Sequence, residues 1–211
     1  MRLLRPETTP ALERLRLDGL PCDRFPDDGQ NTPAILTFPS ELFSQKLTSL
    51  SLDSFHDISL QPDSIILPLD ELRNLIEAIV APKLVSFCFE SHEPFTIFDG
   101  LEPRFCGVQD IVLGNHRGYR QRPEDAEAVC LTYSNVRNAE MAIGYIPIFF
   151  EAHENYSPPA DLWDQLHCLV LDASEFLEVA FNDELESWIE RRSAEGQAKL
   201  HIVFEFPSRK L

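Results

Sequence analysis

A short spacing of apolar residues recurs along the chain and constrains the fold more than any other feature. Each copy has an apolar residue, two other residues, a second apolar residue, one other residue and a third apolar residue, as in Leu84, Phe87 and Phe89. Successive copies begin between 24 and 37 residues apart, which is the length range of structural repeats. The copies begin at Leu12, Leu47, Leu84, Val108, Val136 and Leu166.

The spacing predicts one short β-strand per copy. The last two apolar positions of a copy are two residues apart, so they point to the same side of a strand. Strands that run in parallel need a crossover connection, and a helix is its usual form. A further strand is predicted near the C-terminal end, where Leu200, Ile202, Phe204 and Phe206 alternate with other residues.

These strands and connections predict one α/β domain over residues 1–211. We expect a solenoid of about six to seven irregular repeats, in which a curved parallel sheet carries helices and loops on its convex side. Apolar residues at helical spacing predict a helix over residues 69–80, with Asp70 at its N-cap and Pro82 ending it. Further helical segments are expected at residues 40–44, from Pro123 onward, and at residues 143–153 and 183–194.

The composition limits the cellular setting and the classes of partner. The formal net charge of −17 disfavours binding to nucleic-acid phosphates or to anionic lipids. The five cysteines are scattered without a Cys-x-x-Cys pair, which argues against structural zinc and favours reduced thiols in the cytoplasm or nucleus. We expect neither a signal peptide nor a membrane-spanning segment, because no apolar run approaches the length that either needs.

No motif for catalysis, cofactor binding or metal binding is complete in the sequence. Residues 151–154 resemble part of a zinc-protease motif, but Ser157 stands where its second histidine is needed. Cys88 and Cys168 fall at strand positions that face away from the core, and their acidic neighbours disfavour a reactive thiolate. We therefore expect a protein that is not an enzyme and that holds no cofactor and no metal.

The residues between and just after the inward-facing pair of each strand are expected on the concave side of the sheet. Such a curved surface suits a protein segment better than a small molecule, so a protein partner is expected. The alternative is a face that binds nothing. The expected face begins with basic residues and becomes small and acidic: Arg14, Arg16, Asp18, Ser49, Ser51, Asp53, Ser86, Cys88, Glu90, Asp110, Val112, Asn138, Glu140, Cys168, Val170 and Asp172.

One loop runs against the acidic composition. Basic side chains interleaved with an aromatic residue can grip phosphates and stack on bases. The rest of an acidic chain repels such a ligand, so internal charge balancing is the first interpretation, and recognition of an acidic peptide or nucleic acid is the second. The loop consists of His116, Arg117, Tyr119, Arg120 and Arg122.

The chain resembles F-box proteins with leucine-rich repeats, of the kind found in mushroom-forming fungi. The resemblance rests on residues 9–17, 81–89, 134–141 and 162–171, and on the closing helix 185–192. It implies a leucine-rich-repeat solenoid that captures the substrate of a ubiquitin ligase.

In that family an N-terminal F-box docks a Skp-type adaptor. The sequence lacks the F-box, because a repeat strand follows Phe38–Phe43 too closely to leave room for its helices. The adaptor is therefore expected as a partner only if an F-box lies upstream. The alternative hypothesis is a truncated or relict repeat protein that acts only as a scaffold.

Overall fold

A computed structural model describes most of the chain and contains strands that alternate with helices and turns. The described residues are 13–18, 42–43, 46–53, 69–90, 95–101, 104–114, 122–152, 156–173, 183–197 and 199–206. The strands among them are β1 (Arg14–Asp18), β2 (Leu42–Phe43), β3 (Ser49–Asp53), β4 (Ile79–Val80), β5 (Ser86–Glu90), β6 (Asp110–Leu113), β7 (Asn138–Ala142), β8 (Cys168–Asp172) and β9 (His201–Glu205).

Seven of these strands form one parallel sheet in the order β1-β3-β5-β6-β7-β8-β9, which is their order along the chain. Each copy of the apolar spacing falls at the same height in the sheet. The second apolar position of every copy lies in one row, which contains Leu15, Leu50, Phe87, Ile111, Ala139, Leu169 and Ile202. The repeat read from the sequence is therefore a repeat in the structure.

The backbone just before the strands continues the same pattern. The N–H of Val85 donates to the carbonyl of Thr48 at 2.9 Å, and the N–H of Gln109 donates to the carbonyl of Val85 at 2.8 Å. The equivalent bond from His201 to His167 measures 2.8 Å at the other end of the sheet. These bonds pair backbone donors and acceptors of successive repeats and hold the repeats in register.

Successive residues of a strand alternate between a buried face of the sheet and a more exposed face. Strands β5 and β8 each bury two residues and leave the three between and beside them half-buried. The first residue of each described copy is also buried, at the turn that leads into the strand: Leu47, Leu84, Val108, Val136 and Leu166. The apolar spacing thus maps onto one continuous core.

Four α-helices occur among the described residues. They are α1 (Leu69–Ala78), α2 (Pro123–Thr132), α3 (Ile146–Phe150) and α4 (Asp183–Ala194). Short 3₁₀ turns at Phe95–Phe98, Ile143–Tyr145 and Pro159–Leu162 complete the packed side of the sheet.

Two predicted helices fit the structure closely. Helix α2 begins at Pro123, whose missing N–H is not needed in the first turn. Helix α4 has the predicted bounds, buries Leu185 and Trp188, and is followed by Gly196 with a positive φ of 75°. The predicted segment over residues 143–153 is helical as far as Phe150.

Two other predictions for the connections were wrong in detail. The helix expected over residues 69–80 ends at Ala78, and Asp70 lies inside it rather than at its N-cap. Ile79 and Val80 instead pair in parallel with Leu42 and Phe43, where a helical turn was expected. The two strands form a second, two-stranded sheet, so pairing between distant segments overrides the local helical spacing.

Aromatic side chains fill the space between the sheet and the helices. Phe87 stacks on Tyr133 with ring centroids 4.8 Å apart, and Phe98 meets Phe89 edge to face at 5.3 Å. Farther along, Phe150 contacts the ring of Trp188 at 4.8 Å. The first two contacts join the end of α2 and the 3₁₀ turn at Phe95–Phe98 to the buried face of the sheet, and the third joins α3 to α4. The α/β class and the parallel sheet that the sequence predicts are confirmed.

Candidate functional site

The side of the sheet opposite the buried core, here called the open face, carries the residues that the sequence predicts for the concave side. Its side chains stand in three rows that cross the strands. The first row contains Arg14, Ser49, Ser86, Asp110, Asn138, Cys168 and His201. The middle row contains Arg16, Ser51, Cys88, Val112, Glu140, Val170 and Val203.

The last row lies at the C-terminal ends of the strands. It contains Asp18, Asp53 and Glu90 on β1, β3 and β5, and Ala142, Asp172 and Glu205 on β7, β8 and β9. Of Asp18 and Asp53 the structure describes only the backbone position. All sixteen residues predicted for the concave side therefore occupy the three rows of one sheet face.

The sequence prediction of this face stopped one strand too early. His201, Val203 and Glu205 extend the three rows on β9. The alternation of Ile202 with Phe204 predicts a strand, and the same alternation places the residues between and beside them on the opposite side. Extending the rule to the last strand would have found them.

The basic residues of the open face lie at one end of the sheet, whereas acidic residues occur along most of it. Arg14 and Arg16 are exposed on β1, at one edge of the sheet, and Asp18 and Asp53 lie beside them on β1 and β3. Glu90, Glu140, Asp172 and Glu205 lie on β5 and β7 to β9. The charges are therefore balanced on β1 and β3, and the half formed by β5 to β9 is acidic.

The carboxylates at the acidic end act on one another. Burial raises the pKa of Glu140 above its ordinary value, and the negative charges of Glu205, Asp172 and Glu90 raise it further, in that order. Among the described residues, no ion pair involves Glu90, Glu140 or Glu205. An added positive charge in this region would therefore be stabilised by several carboxylates at once.

A glycine creates the space that Glu90 occupies. The N–H of Gly114 donates to the carbonyl of Phe89 at 2.9 Å, which continues the ladder between β5 and β6. A Cβ atom at position 114 would lie 2.9 Å from the Cβ of Glu90 and 3.1 Å from its Cα, closer than side chains tolerate. Glu90 therefore lies against the backbone at Gly114, on the side of Glu140.

Two polar contacts order other parts of the open face. The Nδ2 of Asn138 donates to Oδ1 of Asp110 at 2.5 Å across neighbouring strands. The thiol of Cys88 contacts Oε1 of Glu90 at 3.5 Å. Burial, together with the charges of Glu90 and Glu140, raises the pKa of Cys88 to about 11 despite a hydrogen bond from Ser51. Its thiolate is rare at neutral pH, so Cys88 has little nucleophilic character.

Only one residue of the predicted basic loop lies in the described part of the chain. Arg122 places a guanidinium nitrogen 3.6 Å from Oδ1 of Asp125, and its backbone N–H donates to Oδ2 of the same carboxylate at 3.0 Å. Its guanidinium is thus paired with an acidic residue in the first turn of α2. The rest of the loop lies outside the described residues, namely His116, Arg117, Tyr119 and Arg120.

The packed side of the sheet holds a groove that the sequence did not predict. It encloses about 400 Å³, and its floor includes Phe150, Pro158 and Trp188. Asp161 lies beside it and accepts hydrogen bonds from Trp188 at 2.8 Å and from Arg191 at 2.7 Å. Contacts between α3, α4 and the turn at Pro159–Leu162 create the groove, and the periodicity of one helix does not reveal it.

The structure brings together no constellation typical of a metal site in the residues it describes. No three His, Cys, Asp or Glu side chains there are placed to hold a metal ion. Glu151 is half-buried beside the groove, whereas His153 and Glu154 of the partial protease motif lie outside the described residues. None of the helices described is long and apolar enough to cross a membrane.

Comparisons with family models, curated proteins and solved structures found no match to this chain.

Proposed function

We propose that this chain is a non-catalytic protein-recognition module that binds a segment of another protein on its open face. In this proposal the sheet is the inner surface of a leucine-rich-repeat solenoid, similar to the substrate-binding repeats of an F-box ubiquitin-ligase receptor. The observation that carries it is the register of seven parallel strands, which aligns their side chains in rows on one face of the sheet. Among the described residues, no helix covers this face. Extended surfaces of this kind suit protein segments.

Several features agree with this proposal. The buried and open faces are chemically distinct, because apolar residues fill one face while polar, charged and small residues fill the other. Cys88, Cys106, Cys130 and Cys168 are free thiols, which is in keeping with a cytoplasmic or nuclear setting. Recruitment of a Skp-type adaptor would need an F-box outside these 211 residues and is proposed only for a longer chain that contains one.

A second candidate function is a scaffold without a binding partner on the open face. It is favoured by the residues of that face being mostly small or half-buried, such as Ser86 and Cys168. The two candidates differ in one respect. Only the recognition module depends on the chemistry of the open face.

An affinity capture from cell extract separates the two candidates. The natural chain is compared with an open-face variant, Val112→Arg with Val170→Arg, and with a control variant, Leu131→Arg with Ser193→Arg. Both variants add two positive charges, and the control positions are exposed on α2 and α4. Circular dichroism first establishes that both variants fold.

The recognition module predicts a protein that the natural chain and the control retain and the open-face variant loses. Retention of the same protein by all three forms would mean that the binding site lies elsewhere on the molecule. If the natural chain retains nothing above a tag-only control, the scaffold is the better account.

A further inference from the structure

The half of the open face formed by β5 to β9 combines apolar side chains with carboxylates. Val112, Val170 and Val203 lie in the middle row, and Val203 is 36% exposed. Glu140 interrupts the valines within that row, and Glu205 follows one end of it in the next row. A segment that lies across these strands therefore meets aliphatic and acidic groups in the same few ångströms.

The arrangement of the carboxylates is unfavourable for the isolated chain. Glu140 is surrounded by the charges of Glu205, Asp172 and Glu90, which destabilise its ionised form. No described arginine, lysine or histidine forms an ion pair with Glu140 or Glu205. A cation from outside would replace repulsion with attraction, so the charges of this surface are complementary to a basic ligand.

The backbone contributes to the same arrangement. A side chain at position 114 would occupy the place of Glu90, and Gly114 leaves that place open. The carboxylate of Glu90 can then lie across the strand that separates β5 from β7. This brings the charge of Glu90 into the field that acts on Glu140.

The opposite end of the open face has no excess of negative charge. Arg14 and Arg16 are exposed on β1, which is the edge strand farthest from β9 in the sheet order. Their charges offset those of Asp18 and Asp53 on β1 and β3, so this end attracts a basic ligand less than the half formed by β5 to β9 does. A ligand with positive charge is therefore directed to the half formed by β5 to β9.

We propose that the β5–β9 half of the open face docks an extended segment of a partner protein in which the side chains that point toward the sheet, at every second position, include both basic and aliphatic ones. The aliphatic side chains lie on Val112, Val170 and Val203, and the lysines or arginines pair with Glu140 and Glu205. This proposal rests on the proposed function and adds the chemistry of the partner to it. The valines provide apolar contact, and the carboxylates determine which charge is accepted.

Three synthetic peptides of equal length, about ten residues each, test this partner chemistry by fluorescence anisotropy. Every second residue of each peptide is serine and points away from the sheet. The positions between them alternate lysine with valine in the first peptide, lysine with serine in the second, and glutamate with valine in the third. The natural chain is compared with Glu140→Gln plus Glu205→Gln. The control is Glu127→Gln plus Glu190→Gln, which removes the same charge from exposed positions on α2 and α4.

We expect the lysine–valine peptide to bind the natural chain most tightly. The open-face variant should weaken this binding by about tenfold or more, because two attractions to carboxylates of the open face are lost, and the control variant by less than about twofold. The lysine–serine peptide should bind less tightly, and the glutamate–valine peptide should not bind.

Other results would overturn the proposal. Equal weakening by both variants would mean that the peptide responds only to the net charge of −17. Equal binding of the lysine–valine and lysine–serine peptides would show that aliphatic contacts do not contribute to binding. Absence of binding at low salt would show that this half of the open face is not a binding site for a basic segment.

The capture experiment separates failure of this proposal from failure of the proposed function. A cellular partner that needs Val112 and Val170, combined with peptides that bind regardless of the open face, would leave recognition intact and exclude the basic segment. Peptides that bind as expected, combined with capture that ignores the open face, would instead contradict the proposed function.

Discussion

The two faces of the sheet are built from the same strands of four or five residues and differ in what determines their residues. On the packed face, Phe87 is fully buried and touches aromatic rings from two other segments, those of Phe98 and Tyr133. On the open face, the next residue, Cys88, is half-buried and contacts the carboxylate of Glu90. Packing restricts the first face to apolar residues of suitable volume. The second face tolerates serine, valine, cysteine and glutamate in one row.

This difference explains why the sequence predicts the fold of the chain better than its function. A buried position needs only to be apolar and of the right size, so its periodicity is visible in one sequence. A position on the open face has no such general requirement, because its residue depends on the ligand it meets. The open face is therefore the part of the molecule where function can vary without loss of the fold.

The largest expected contrast between the faces is in stability. Phe87→Ala should lower the free energy of unfolding by about 3–5 kcal/mol, because it leaves a cavity among packed aromatic rings. Cys88→Ala, one residue away, should change it by less than about 0.5 kcal/mol. Urea denaturation followed by circular dichroism measures both values. Similar losses for the two variants would mean that the faces are not distinct.

A second contrast concerns two adjacent arginines of α4. Arg192 is buried and donates to the carbonyls of Leu166 at 2.6 Å and Asp164 at 3.1 Å, which fixes the turn before β8. Arg192→Met should cost about 2–3 kcal/mol of stability, because a carbonyl buried at this turn loses a charged donor. Arg191→Met removes only a more exposed pair with Asp161 and should cost less than about 1 kcal/mol.

The same denaturation experiment decides this contrast. Equal costs for the two arginine variants would show that burial of the guanidinium contributes nothing to the packed side of the sheet.

The third prediction tests whether backbone space matters on the open face. Gly114→Ala should lower the stability by about 1–3 kcal/mol, because its Cβ would crowd the Cβ and Cα of Glu90. Adding Glu90→Ala should recover only part of this loss, since the Cβ and Cα of residue 90 remain. Thermal unfolding of the single and double variants measures the recovery. A stable Gly114→Ala variant would show that Glu90 moves freely.

The smallest effect is expected from Glu140→Gln. Because the pKa of Glu140 is raised in the folded chain, folding stability declines as the pH rises through the interval between the unfolded and folded values. The glutamine variant should therefore be more stable at pH 7, by about 0.5 kcal/mol after solvent screening. This advantage should disappear below about pH 4, where the carboxyl is protonated in both the folded and the unfolded chain.

Urea titrations at pH 7 and at low pH test the sign of this effect. A variant that is less stable than the natural chain at pH 7 would mean that Glu140 has a stabilising cation as its neighbour.

The sequence predicts the repeated part of the fold well because each repeat carries its own signal. The seven strands, the bounds of α4 and the start of α2 follow from apolar spacing, Gly196 and Pro123. The end of α1 could not be predicted this way. Ile79 and Val80, which follow α1, continue its apolar spacing, but they pair with Leu42–Phe43 from a distant part of the chain.

Alternation along a strand predicts which charged residues share a sheet face, but it does not predict how their charges interact. The rule of alternation places Glu90, Glu140 and Asp172 on one face, and the structure agrees. Their mutual repulsion depends on the register of different strands and on the space at Gly114, which no local pattern reveals. The groove beside Trp188 depends in the same way on how α3 and α4 pack.

Labelling of the natural thiols with a maleimide, followed by mass spectrometry, tests most directly whether the open face is the binding face. Cys168 lies on the open face, Cys106 is exposed in the turn before β6, and Cys130 is buried in α2. Without a ligand, Cys168 and Cys106 should be modified well before Cys130.

With the captured partner or the lysine–valine peptide bound, labelling of Cys168 should slow while labelling of Cys106 stays the same. Protection of Cys106 with unchanged labelling of Cys168 would contradict the assignment of binding to the open face. Modification of Cys130 as fast as Cys168 would contradict the division of the sheet into a packed face and an open face.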